Sequence, residues 1–423
     1  RSTARSRESL IRYAQNSGDI LPQGNCRSYG DACISSSIVS TLALDRLLSF
    51  DPDTGLLRAE AGLTLEKIIR FAIPQGWFLP VTPGTKHPTI GGCVAADIHG
   101  KNHHLDGSLS QFIDALEIVL VDGSVVCCSR TQEPKLFWAT LGGMGLTGFV
   151  YAITLRLRKI SSAFLQTRSI KTQNLAETCQ VLIDTQNDYT YSVAWLDCLS
   201  RHWGRGLVAL GNHTTPDDIP EDPFPLHSTA RFNLPMPLPR ALVSRPVTSL
   251  FNHFYYRKQW HRQVDDKTHY DRFFYPLDFV NNWNRVYGNR GFLQYQLAVP
   301  FTEAERIITH FVTVLRKNGN GSTLAVLKTF GKKYGGPLSF PLQGFTLALD
   351  IPFGDGKVIA VLQNLTSSLL EAGGRVYLAK DAVVLKEHFR KMYPRVEEFQ
   401  QIKELYDPEC RLRSIQSDRL GLT

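Results

Sequence analysis

Asp97-Ile-His-Gly-Lys-Asn-His-His104 is the stretch whose chemistry decides how the rest of the chain is read. Three histidines and a lysine crowd into eight positions. Such a cluster raises the idea of a metal centre. However, His99, His103 and His104 fit neither HExxH nor a zinc spacing with cysteines, so no metal is expected. A structural turn is one reading of the segment. The other is a site in which imidazoles and an ammonium line the face of a bound molecule.

Working outward, four glycine-bearing loops surround this stretch: Gly24-Asn-Cys-Arg-Ser-Tyr-Gly-Asp31, Pro83-Gly-Thr-Lys86, Thr89-Ile-Gly-Gly-Cys-Val-Ala-Ala96 and Gly143-Met-Gly-Leu-Thr-Gly148. The last fits GxGxxG, yet a nicotinamide-type Rossmann fingerprint must follow a strand and open a helix. Here the helix-like Lys135-Leu-Phe-Trp-Ala-Thr140 precedes it and a strand-like run follows. A single glycine loop is usually a turn. Four in the first third of the chain, each able to present backbone N–H groups, point to a long cofactor bearing a pyrophosphate.

The periodicities around these loops alternate between strand and helix. A helix is predicted to open at Ser6. Strands are predicted at Ile38–Leu44 and Leu56–Ala61, and a Thr64-capped helix follows. A hairpin is expected through Asp122-Gly123, and a long strand from Phe149 to Arg158. Eight of the 22 prolines fall between Pro216 and Pro246, predicting an irregular excursion. The basic aromatic run Phe254-Tyr-Tyr-Arg-Lys-Gln-Trp-His-Arg262 follows it. Strands are then predicted at Phe292–Val299, Ser322–Lys328 and Phe345–Ile351, with helices at 303–317 and 357–372. This interleaving indicates an α+β fold.

Composition sets the outer limits. Hydrophobic residues are 43% and charged residues 20% of 423, which is ordinary for a globular chain and excludes coiled coil, collagen and wholesale disorder. Lys plus Arg exceeds Asp plus Glu by 8. That excess suits an anionic ligand or lipid surface and is too small to imply nucleic acid, so no nucleic-acid partner is expected. Eight cysteines without CxxC spacing read as mostly reduced, buried thiols. No apolar run approaches the roughly 18 residues a spanning helix needs.

Taken together, Arg27-Ser-Tyr-Gly-Asp31, Pro83-Gly-Thr85, Thr89-Ile-Gly-Gly92, the Asp97–His104 stretch, Phe137-Trp-Ala-Thr140 and Gly145-Leu-Thr-Gly148 resemble the flavin domain of the vanillyl-alcohol-oxidase superfamily, with its PCMH-type FAD-binding fold. Within it the chain is similar to the decaprenylphosphoryl-ribose oxidases. That similarity continues through Trp283–Gly288, Gly291-Phe-Leu-Gln-Tyr-Gln296, Leu327-Lys-Thr-Phe-Gly331, Pro337–Pro341 and Tyr377-Leu-Ala-Lys-Asp381. The resemblance implies a bipartite FAD-binding domain, residues 1–162 completed by 375–423. A substrate domain, 163–374, would be inserted between them, built on an antiparallel sheet with flanking helices. It also implies non-covalent FAD, since the Gly24–Asp31 loop lacks the histidine that covalent relatives use there.

By the same resemblance, FAD contacts Gly24, Asn25, Arg27, Ser28, Tyr29, Gly84, Thr89, Gly91, Gly92, Asp97, His99, Val150 and Tyr377. The substrate contacts Lys101, Gln294, Gln296, Lys328, Ala348 and Lys380. Two departures stand out. Cys26 occupies a loop position where relatives carry glycine, and Ala348 replaces a pocket cysteine that some relatives present to covalent inhibitors.

The implied chemistry is oxidation of a sugar hydroxyl, which requires a hydride acceptor at carbon and a base for the O–H proton. Lys380 is the first candidate for that base, because burial lowers an amine's pKa; a fixed positive charge is its alternative role. His99 and Gln296 are placed beside it as catalytic residues. Gln294 and Gln296 lie two apart on a strand and share a face. Lys101 and Lys328 are candidate partners of a substrate phosphate. Phe224, Phe232, Leu234 and Leu238 are candidates to border a groove for a prenyl tail. The expected partners are a polyprenyl-phosphate-linked pentose, an NAD(P)H-dependent keto-reductase and the inner-membrane surface, on a side the sequence leaves open. Two rival readings remain: an FAD-dependent oxidase of another sugar alcohol or aldonolactone, and a non-catalytic flavoprotein partner.

Overall fold

The computed structural model describes residues 1–218, 220–226, 232–239, 244–332, 335–353 and 356–423. Its two principal sheets divide the chain's apolar residues between them. The first is five-stranded and antiparallel, in the order Leu47–Phe50, Leu56–Glu60, Phe149–Arg156, Ile113–Val119, Val125–Ser129. Helices Leu65–Ala72, Ile90–Ala95 and Pro134–Thr140 contribute to its core through Ile68, Ile69, Ile90, Leu136 and Phe137, all essentially inaccessible. Thr64 accepts a hydrogen bond from Lys67 N and caps the first of these, as its sequence position predicts. A small parallel sheet of Ser2–Thr3, Ile38–Ser40 and Leu21–Gln23 lies at the N-terminus.

The second principal sheet has eight antiparallel strands. Their order is Gln263–His269, Phe164–Thr172, Gly206–His213, Tyr191–Leu196, Leu324–Phe330, Gly344–Pro352, Phe292–Val299, Arg375–Val376. Strand periodicity explains its two faces. Tyr295, Leu297, Leu327, Leu347 and Leu349 point into a core shared with helices Leu175–Asp184, Ala304–Lys317 and Val358–Glu371. Burying each leucine contributes about 1.5–3 kcal/mol. The alternate residues Gln294, Gln296, Val326, Lys328 and Ala348 face the opposite way, into the cavity described below. The register aligns Gln296 with Ala348 and Ala348 with Val326, and sets Lys328 opposite Thr346.

The helices and strands predicted around the glycine loops are present, with differences at their ends. The strand from Ile38 stops at Ser40, because Thr41 O accepts from Leu44 N and turns the chain beneath Gly62. There a side chain would meet Thr41 O at 2.0 Å. The hairpin through Asp122-Gly123 forms between Ile113–Val119 and Val125–Ser129, its loop held by Ser124 N donating to Asp122 Oδ1. GxGxxG sits between helix Pro134–Thr140 and strand Phe149–Arg156, the reverse of a dinucleotide fingerprint.

The proline-rich segment is partly regular. Phe232–Asn233 pairs in parallel with Val280–Asn281, and helix Arg245–Arg257 begins inside it with Pro246 in its first turn. Residues 219, 227–231 and 240–243 of that segment lie outside the described residues. The groove expectation is corrected at three residues: Phe224 packs beside Gly76, with the five-stranded-sheet core, and neither it nor Leu234 nor Leu238 lines the cavity.

His213 lies between Phe78 and Tyr191, ring centroids 5.7 and 5.6 Å away, and burial pushes its pKa down to about 3. The folded state therefore keeps it neutral, while the unfolded chain protonates near pH 6.5. The stability this contributes is full above that value and is lost as pH falls. The expected loss is about 2 kcal/mol between pH 7 and pH 5. In His213→Phe, the unfolding free energies obtained from urea titrations at the two pH values should converge by that amount.

Candidate active site

A cavity of about 960 Å³ opens between the glycine loops and the polar face of the eight-stranded sheet. That is near the upper end for a small-molecule site and suits a dinucleotide-sized group. Of the residues expected at the site, Gly24, Asn25, Arg27, Ser28, Tyr29, Gly84, Thr89, Gly91, Gly92, His99, Lys101, Val150, Gln294, Gln296, Lys328, Ala348, Tyr377 and Lys380 all line it. Asp97 does not. Fully buried, with a left-handed φ of 39°, it accepts from Ser110 N at 3.0 Å and from Ser339 Oγ at 2.6 Å. It ties the histidine stretch to the loop before the Gly344–Pro352 strand and stays outside the cavity.

The loops are built around close backbone approaches. A Cβ on Gly24 would sit 2.3 Å from Thr89 Oγ1, and one on Gly91 would meet Ala61 Cβ at 2.7 Å. Nothing lies within 4 Å of the corresponding point at Gly84, whose backbone borders the open space. Cys26, with φ 49°, adopts the left-handed conformation that relatives' glycine would hold there. The Thr89 loop departs from expectation. Ile90 N donates to Leu63 O, Gly91 N to Ala61 O and Gly92 N to Thr89 Oγ1, so these N–H groups serve the fold and not a phosphate. In Gly24→Ala, the added methyl displaces the Thr89 hydroxyl that caps helix Ile90–Ala95. The expected result is about tenfold weaker flavin retention, read from flavin absorbance after gel filtration.

The C-terminal segment closes the cavity. Tyr29 N donates to Ala379 O at 2.8 Å, and the Tyr29 ring lies beneath Lys380, whose Nζ is 5.8 Å from the ring centroid. Tyr377 stacks on Phe340 and donates its hydroxyl to Ala96 O. His99 sits among Phe330, Phe340 and Tyr377, with ring centroids 4.8, 5.9 and 5.4 Å away.

A chain of hydrogen bonds runs through this aromatic box. Thr346 Oγ1 donates to Leu297 O and accepts from the Gln296 amide at 2.8 Å. The same Gln296 nitrogen faces His99 Nε2 at 3.0 Å, so that ring nitrogen accepts. The His99 proton is thereby assigned to Nδ1, 3.1 Å from Lys328 Nζ, which accepts it as a neutral amine. Electrostatics agree. Burial, then the charges of Lys328 and Lys380, holds His99 far below its usual pKa. Burial, then Lys380 and Lys101, does the same to Lys328.

Two further lysines share the cavity. Lys101 donates through Nζ to Phe273 O over the Phe273 ring, and burial lowers its pKa to about 7. Lys380 is lowered to about 8 by burial, against which the Asp350 charge acts. Asp350 itself was not singled out in the sequence. It accepts from Gln294 Nε2 at 2.5 Å and Tyr287 OH at 3.1 Å, and burial raises it to about 6. The signal was present: Asp350 lies two residues past Ala348 and pairs with Gln294, which puts it on the cavity face by strand alternation. Lys86 was also missed; its Nζ donates to buried Asp271 Oδ1 and pins the Pro83–Lys86 loop to helix Tyr270–Phe274. The carbonyl oxygens of Gln294 and Gln296 are buried without a protein partner, as expected of groups that await a ligand.

This combination of glycine-lined loops, an open cavity and unpaired amide oxygens fits an FAD-sized group, and comparison with known proteins agrees. Residues 3–129 match the family described as FAD binding domain. Decaprenylphosphoryl-beta-D-ribose oxidase of Mycolicibacterium smegmatis is 34% identical over 98% of this chain and 92% of its own. A Streptomyces coelicolor protein described as an uncharacterized protein in the mprA 5′ region is 33% identical over 85% of this chain and 100% of its own. Delta(24)-sterol reductase of Homo sapiens is 30% identical over 26% of this chain and 22% of its own. Identity at this level over nearly the full length of both chains means that the protein belongs to the decaprenylphosphoryl-β-D-ribose oxidase family, FAD-binding oxidases of an α+β fold.

Proposed function

We propose that the protein oxidises the 2′-hydroxyl of a polyprenyl-phosphoryl-β-D-ribose to the 2′-ketone, the first half of an epimerisation that a separate nicotinamide-dependent reductase completes. The observation that carries this reading is that three lysines, Lys101, Lys328 and Lys380, line one cavity in which burial lowers the pKa of each, with the carboxylate of Asp278 on its wall and that of Asp350 behind Gln294. Burial disfavours the protonated form of each of these amines, and an arriving phosphate supplies the negative charge that restores it. FAD, held non-covalently by the loop residues that line the cavity, would supply the hydride acceptor for the carbinol carbon.

In this reading residues 1–162 and 375–423 hold the cofactor and residues 163–374 bind the substrate. Lys380 takes the hydroxyl proton, His99 and Gln296 orient the sugar, and Gln294 stays tied to Asp350. Lys101 and Lys328 bind the phosphate, and Ala348 leaves room beside Gln296. Phe232, exposed and packed against Phe279 at 5.3 Å, flanks cavity residues Asn233 and Val280 and offers an apolar lip for the prenyl tail. Among the described residues no helix is long and apolar enough to cross a membrane, and the proposed site of action is the inner-membrane surface.

Anaerobic mixing of the holoprotein with the lipid-linked ribose should bleach the flavin band; an unchanged spectrum would exclude that substrate. Lys328→Ala should raise KM for the phosphoryl substrate by roughly ten- to a hundredfold, the worth of a charged hydrogen bond. An oxidase of neutral sugars or aldonolactones would show no such dependence.

A further inference from the structure

Helix Arg245–Arg257 is built the wrong way round for a soluble surface. An amphipathic helix normally turns its apolar stripe to the core. Here the inward face is held by polar and aromatic anchors. Asn252 Nδ2 donates to Asp197 Oδ1 at 3.1 Å, Tyr256 OH donates to Thr172 O at 3.0 Å, and Tyr255 packs on Trp195 with centroids 4.9 Å apart. The outward face carries Val247, Leu250, Phe251 and Phe254, spaced i, i+3, i+4 and i+7 and exposed by 42, 57, 62 and 63%. Just past the helix, Trp260 is 90% exposed. Scattered apolar residues on a surface need no explanation; a continuous stripe ending in a bare indole does.

Charge says what covers it. From residue 223 to 264 the sequence holds six Arg and Lys and no Asp or Glu. Arg245, Arg257 and Lys258 border the stripe on the helix and at its end, and all are exposed. Arg262 is held by Glu177, and the first acidic residue beyond, Asp265, is held by Arg168. An apolar strip flanked by cations and finished by a tryptophan matches the interface of an anionic bilayer, where such helices lie in the plane of the surface and indoles sit at headgroup level.

We propose that helix Arg245–Arg257 and Trp260 form the membrane-docking face, seated in the headgroup layer of an anionic phospholipid bilayer. This face names the surface through which a lipid-borne substrate would be met. Its test needs no substrate, so it fails separately from the proposed oxidation.

The holoprotein is floated with vesicles of phosphatidylcholine alone and of equimolar phosphatidylcholine and phosphatidylglycerol. Flotation with the anionic vesicles, decreasing with salt, is expected, together with a blue shift of emission that Trp260→Phe removes. The double variant Phe251→Asp/Phe254→Asp should bind at least tenfold less while retaining its flavin. Arg257→Glu/Lys258→Glu should lose the preference for anionic lipid. Phe254→Ser and quenching of Trp260 by brominated acyl chains carry the same test without introducing charge. The proposal is overturned if the wild type does not float with the anionic vesicles. It is equally overturned if the aspartate variant floats as well as the wild type, or if the stripe proves to be a dimer contact that the variant dissolves while vesicles bind neither.

Discussion

Arg419→Ala should be among the most damaging single substitutions in the chain, lowering stability by about 3 kcal/mol and emptying the cavity of flavin. The guanidinium grips Asp31 through two bonds of 2.9 Å and Asp381 Oδ2 at 2.8 Å. It thereby fastens the N-terminal flavin loop to the C-terminal segment that carries Lys380. Asp381 is wholly inaccessible, and its other oxygen accepts from Val383 N and Val384 N. Burial raises its pKa and Arg419 opposes that rise. Removing the arginine strands a buried carboxylate, which typically costs about 3–5 kcal/mol. The lower end applies here, because Arg419 is a quarter exposed and Asp381 can take up a proton.

A denaturant midpoint and the flavin-to-protein absorbance ratio check the prediction. The decisive comparison is Arg419→Ala/Asp381→Asn, which removes the stranded charge and should recover part of the lost stability. If the double variant is no more stable than the single one, the ion pair is not what holds these segments. Gly30 shows how tight the junction is: its φ is +85°, and a Cβ there would lie 2.0 Å from Asp381 O.

That junction marks the limit of what could be read from the sequence. Periodicity predicts the strands carrying Gln294, Gln296 and Lys328, and a period of two places those residues on one face. Glycine loops and the histidine stretch point to the cavity because their chemistry is local. Asp97 is a flavin contact by resemblance alone, and no local pattern says otherwise. Only the positions of Ser110 and Ser339, 13 and 242 residues away, reveal it as an anchor. Arg419 and Asp31 are 388 residues apart, and no spacing rule links them. Nor does a pattern report that Gln296, His99 and Lys328 form one hydrogen-bonded chain, because that depends on the register of three separate strands and a loop. Helix Arg245–Arg257 shows the opposite failure: its prolines and basic aromatic run predict irregular structure, and the chain there forms a helix whose apolar stripe faces outward.

Lys380 should give the activity its pH dependence. Only the neutral amine accepts the hydroxyl proton, and its pKa lies near 8. Flavin reduction should therefore climb about tenfold per pH unit below that value and level off above it. Lys380→Ala should lower the rate by roughly a hundred- to ten-thousandfold, the usual worth of a positioned base. Lys380→Arg separates the base from a mere fixed charge: it keeps a cation but cannot deprotonate near neutrality, so binding should survive while the rate and its pH limb are lost. Retention of the wild-type rate in the arginine variant would assign Lys380 the electrostatic role instead. Asp350 supplies a second check. Its charge supports the protonated amine, so Asp350→Asn should move the limb to lower pH while leaving the plateau nearly unchanged. A limb that moves to higher pH, or does not move, would show that the Asp350 carboxylate does not govern the Lys380 proton.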